Sequence, residues 1–82
     1  MLIAFDSTQQ ALRAEMLFEY ADIVIDICPT PKQITAGCAL SIEFPAEDLV
    51  EIKQIIVNEK IEIQGIYNKN ANKYDPIELV GN

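Results

Sequence analysis

Histidine and tryptophan are both missing from this chain of 82 residues, which has only two cysteines, three glycines and six basic side chains. Without histidine, no Ser-His or Cys-His nucleophilic arrangement can be built. Two cysteines with nine residues between them, and no histidine to join them, also fall short of the three or four ligands of a zinc site, so no metal and no cofactor is expected. Six basic against 13 acidic residues leave a net charge of −7, the wrong sign for phosphate backbones. Nucleic acid is therefore not an expected partner, whereas a protein with a basic face is. No apolar run approaches the roughly 18 residues of a membrane span. The N-terminus meets Asp6 after a short apolar stretch and carries no basic n-region, so neither a span nor a signal peptide is expected. These absences together describe a cytoplasmic protein with reduced thiols.

Half of the residues are hydrophobic, enough for one two-layer core at this length. Leu2-Ile3-Ala4-Phe5 reads as a first, central strand because it is continuously apolar. Ser7 stands where a helix N-cap belongs, with Gln10 at the capping-box position. Ala11, Ala14, Leu17, Phe18 and Ala21 then recur at helical spacing to about Tyr20 or Ala21. A second strand is expected over residues 23–28. A third, over 38–44, sets Leu40, Ile42 and Phe44 toward a core and Ser41 and Glu43 toward water. Pro45 opens a second helix whose inner face is Leu49, Ile52, Ile55 and Ile56, with Glu47, Asp48 and Glu51 at its positive end. A fourth strand is expected over 60–67, followed by a polar linker over 68–73 and a tail that can add an edge strand.

The order strand, helix, strand, strand, helix, strand points to an α+β fold. The arrangement expected is a ferredoxin-like β-α-β-β-α-β sandwich, with an antiparallel four-stranded sheet in the order 4-1-3-2 and both helices on one face. The division is a domain over 1–67 and a linker and tail over 68–82. That order brings the end of strand one, the start of helix one, the end of strand two and the start of strand three to one edge of the sheet.

Both cysteines, two prolines and a glycine fall at that edge, in Cys28-Pro29-Thr30-Pro31-Lys32-Gln33-Ile34-Thr35-Ala36-Gly37-Cys38. Cys38 is expected near the N-terminus of the first helix, where unpaired N–H groups and the macrodipole favour an anion. A free thiol pKa of about 8.5 can fall toward about 7 in such a place, which supplies a nucleophile without histidine. Gly37 lets the turn take positive φ and leaves the neighbouring sulfur accessible. Buried packing as a small hydrophobe is the competing role for Cys38, and more so for Cys28, which continues an apolar strand. A hairpin of strands two and three would bring the cysteines near each other, with Cys28 as a resolving thiol. Ser7 and Thr8 either donate to a sulfur anion or serve the helix start, and Pro29 and Pro31 either hold the loop open or end a strand.

The N-terminal strand and helix with Ser7 and Thr8, then Pro29-Thr30-Pro31, then Gly37-Cys38 leading to Pro45, resemble the selenium/sulfur carrier-like family of small bacterial proteins. The resemblance covers about residues 2–67, with Ala39 where members often carry glycine. It implies a carrier rather than a catalyst, holding sulfur or selenium on Cys38 as a persulfide or selenopersulfide. It implies as donor a cysteine desulfurase or selenocysteine lyase, and as acceptor a selenophosphate-forming or thiolation enzyme. The alternative is a small regulatory or interaction module without thiol chemistry, for which sheet-edge pairing into a homodimer is the natural assembly.

Overall fold

The computed structural model describes residues 1–34, 39–70 and 73–77. Its elements are β1 (Leu2–Ala4), α1 (Thr8–Tyr20), β2 (Asp26–Pro29), β3 (Leu40–Glu43), a 3-10 turn (Ala46–Asp48), α2 (Leu49–Asn58), β4 (Gly65–Asn70) and β5 (Lys73–Ile77). All strand pairs are antiparallel, in the order β2-β3-β1-β4-β5. The first four keep the expected order, read from the opposite edge. The expected count of four is corrected to five. Asn68–Asn70, expected as linker, belong to β4 and pair with β5 in the register Asn68↔Asp75 to Asn70↔Lys73.

One core packs Ala11, Ala14 and Phe18 of α1 and Ile52 and Ile56 of α2 on Ile3, Ile42 and Ile66 of the sheet, so both helices lie on one face. Ile3 pairs with Ile42 on one side and Ile66 on the other, which lines up β-branched side chains across the sheet. On the opposite face, Leu2 and Ala4 are also buried, beneath Ile34 and beside Cys28, Tyr67 and Tyr74. The central strand is therefore covered on both faces, which is why it is apolar without alternation.

The two helices end the same way. Asp22 and Lys60 take left-handed φ of 62° and 54°. In α1, Asp22 N–H donates to Glu19 O at 3.0 Å and Ile23 N–H to Phe18 O at 3.0 Å. In α2, Lys60 N–H donates to Val57 O at 3.3 Å and Ile61 N–H to Ile56 O at 3.0 Å. These are Schellman closures, with buried Ile23 and Ile61 as the apolar residue that follows each. They also explain why β2 and β4 begin later than expected. Ile23 and Ile61 give their N–H groups to helix closure, so the ladder starts only at Asp26 and Gly65.

The helix starts differ from expectation too. Ser7 occupies the N-cap position of α1 with extended backbone, but its side chain makes no capping hydrogen bond. Gln10 closes no capping box either, since its Oε1 accepts from Glu62 N–H at 3.2 Å and ties α1 to the approach to β4. Among the described residues, no helix is long and apolar enough to cross a membrane.

Candidate functional site

Ala4 pairs with both Ser41 and Gly65, and Pro29 pairs with Leu40. The end of β1, the end of β2, the start of β3 and the start of β4 thus share one edge, and α1 begins only four residues after Ala4. Thr30 N–H donates to Ala39 O at 2.8 Å, one step beyond the last strand pair. That bond joins the two flanks of the connection between β2 and β3. Gly37 and Cys38, with the rest of residues 35–38, lie outside the described residues, so the expected position of Cys38 in front of α1 does too.

The described part of the connection folds back over the helix-free face. Ile34 is only 6% exposed, on Leu2 and Ala4, in a turn where its N–H donates to Pro31 O at 3.0 Å. Thr30 Oγ1 and Ser41 Oγ share a hydrogen bond of 2.7 Å. Ser41 is fully buried, which corrects the expectation that it faces water. Alternation alone does not reveal a loop that returns to cover the second face. Ile34 is likewise a residue that sequence reasoning passed over. Its signal was present, since it is the single large apolar side chain between Pro29 and Gly37.

Cys28 pairs with Ser41 on β3 and is half-buried beside the Ile34 cluster. Burial pushes its thiol pKa up, and the carboxylates of Glu43 and Asp26 push it further the same way. At neutral pH this sulfur is the thiol rather than the thiolate. Pro29 and Thr30 follow it at the strand end, and half-buried Ser7 and exposed Thr8 open α1 at the same edge. Among the described residues no group of three or more His, Cys, Asp or Glu side chains is placed to hold a metal. An open cleft of about 340 Å³, bordered by Asp26, Glu43, Phe44 and Lys69, lies at the opposite end of β3 from this edge.

The family model described as "Putative Se/S carrier protein-like" matches residues 1–68, a span that contains the whole edge just described. The chain belongs to this family. An uncharacterized protein of Methanocaldococcus jannaschii is similar to this chain, 30% identical over 79 residues. The match takes in 96% of this chain and 40% of the relative, so the chain spans less than half of that protein's length. No solved structure matches. Within this carrier-like chain, β5 and the last two residues of β4 lie beyond the matched residues, so β1, β2, β3, both helices and the first four residues of β4 form the family's share of the fold.

Proposed function

We propose that this protein carries sulfur or selenium on Cys38, as a persulfide or selenopersulfide, between a donor and an acceptor enzyme. The observation that carries the reading is the edge itself, within the matched span. The flanks Thr30 and Ala39 are joined there by a backbone hydrogen bond, at the end of the sheet from which α1 departs, and Cys38 directly precedes Ala39. A thiolate held there would feel the positive end of a 13-residue helix. Ser7, Thr8, Pro29, Thr30, Pro31 and Gly37 would line its approach.

In the loading step the Cys38 thiolate attacks the outer sulfur of a donor persulfide, R–S–S–H. The new S–S bond forms on Cys38 as the donor's bond breaks, and the donor leaves as R–S⁻. No outside oxidant is consumed, because the transferred sulfur keeps its oxidation level. Unloading repeats the exchange, with an acceptor nucleophile taking the outer atom and Cys38 leaving as thiolate. A donor of the form R–S–Se–H serves selenium by the same bonds. Cysteine desulfurase or selenocysteine lyase is the donor class, and a selenophosphate-forming or thiolation enzyme the acceptor class. Cys28, with its raised pKa, acts as a slow resolving thiol rather than as a second loading site.

The test is intact-protein mass after incubation with a cysteine desulfurase and cysteine. The expected result is a one-sulfur increment that a reductant removes, that Cys38→Ser abolishes and that Cys28→Ser retains. Absence of the increment in the natural protein, where a known acceptor is loaded in parallel, rejects the reading and leaves a module without thiol chemistry.

A further inference from the structure

Leu12, Met16 and Tyr20 follow one another at four-residue spacing along α1 and are 51%, 64% and 90% exposed. At about 100° per residue they lie on the side of the helix opposite buried Ala11, Ala14 and Phe18. The helix is thus apolar on two faces, and its core needs only one. Single exposed apolar residues are ordinary, but a ridge of three ending in a nearly free tyrosine is the composition of an interface centre.

The flanks of the ridge carry charge of defined sign. Glu15 and Glu19 lie on one side of it, and Arg13 on the other. Arg13 is already paired with Glu59 at 3.6 Å. A second copy is a poor occupant of this ridge. A two-fold antiparallel pairing sets Glu15 and Glu19 against their own copies, and a parallel pairing offers them only the Arg13 that Glu59 holds. A net charge of −7 on each chain opposes either arrangement.

We propose that the outer face of α1 docks the sulfur-donating protein, through an apolar furrow on that partner bordered by lysine or arginine on the Glu15 and Glu19 side. The partner's identity rests on the carrier reading above. The acidic flank supplies the charge complementarity that draws such a surface in, and the apolar ridge supplies the desolvated centre. The ridge starts four residues from the first residue of α1, about 6 Å along the axis, so a protein seated on it also overhangs the edge where Thr30 and Ala39 are joined. Docking and transfer thus use adjoining surfaces with separate side chains.

The experiment compares the natural protein with a Met16→Glu/Tyr20→Glu variant, whose fold is checked by circular dichroism and thermal unfolding. Two sulfur sources are used: a cysteine desulfurase with cysteine, and glutathione persulfide. The expected result is that glutathione persulfide loads both proteins at one rate, whereas loading of the variant by the enzyme falls about tenfold or more. A Glu15→Lys/Glu19→Lys variant is expected to slow enzymatic loading and to lose most of its salt dependence. Enzymatic loading of the Met16→Glu/Tyr20→Glu variant within about twofold of the natural rate overturns the proposal. So does sedimentation showing a dimer of the natural protein that this variant dissociates. If neither source loads Cys38, the carrier reading fails by itself. Direct calorimetric binding to the desulfurase then decides the surface: binding lost in the variant supports it, and no binding by the natural protein overturns it.

Discussion

Ile34 and Cys28 stand side by side on the helix-free face, and their surroundings dictate opposite kinds of test. Ile34 fastens the connection between β2 and β3 by burying its side chain on Leu2 and Ala4. Ile34→Ala is expected to cost about 2 kcal/mol, since a site under a loop relaxes more than a deep core, and Ile34→Val about half of that. The shift in urea midpoint measures both, and equal effects of the two substitutions would show that the side chain does not hold the segment. Cys28 is best tested by pH. Its folded pKa is raised, so the unfolded chain loses the thiol proton first as pH increases. Its contribution to stability is therefore complete below the unfolded thiol pKa of about 8.5 and is lost as pH rises from there through the higher folded value. Unfolding curves taken from neutral to alkaline pH are expected to show this loss in the natural protein and less of it in Cys28→Ser. Alkylation of Cys28 in the folded protein should stay slow at neutral pH for the same reason.

The elements show how much could be read from residue order and where that reading stopped. Strand and helix order, both helices on one face and the gathering of four element ends at one edge follow from apolar periodicity, and the structure has them. The strand starts were misplaced for one physical reason at two places. Ile23-Val24-Ile25 and Ile61-Glu62-Ile63 carry strand composition, yet Schellman closure takes the N–H of Ile23 and Ile61 before a ladder can form. No glycine announces these closures, because Asp22 and Lys60 fill the left-handed position themselves. β5 was missed as a full partner because Asn68 and Lys69 look like linker, and only pairing with Tyr74 and Asp75 makes them strand. Pro76 is tolerated because β5 is an edge. At the candidate site the shared edge of strand ends was legible, whereas Cys38 itself lies outside the described residues. The return of Ile34 over the second face was not legible, since one apolar residue in a loop has no periodicity. The closures give a direct prediction. A side chain in the left-handed region costs about 1–2 kcal/mol, offset in part by the greater entropy that glycine loses, so Lys60→Gly is expected to stabilise the protein by about 0.5–1 kcal/mol. Asp22→Gly should gain less, because aspartate tolerates this region better. The two sites close different helices, so thermal unfolding of the double variant should show additive gains.

At the scale of the whole molecule, the family match and the sheet divide the chain at nearly the same place. The match ends at residue 68, whereas β5 begins at Lys73 and contributes Tyr74 and Ile77, both only partly buried, to the two faces of the sheet. The candidate edge lies across β1, β2, β3 and the first residue of β4, at the far end of β4 from its junction with β5. Stability and sulfur handling should therefore separate when β5 is removed. A chain ending at Asn70 is expected to keep the helical circular dichroism of the full protein. It should unfold about 2 kcal/mol more easily, the loss from half-burying one isoleucine and one tyrosine. It should also associate more readily, because β4 becomes an open edge. Loading of Cys38 by glutathione persulfide should proceed at the rate of the full chain. A truncated protein that folds but takes up no sulfur would place part of the site on β5, and the carrier domain would then be the whole five-stranded sheet rather than the matched span.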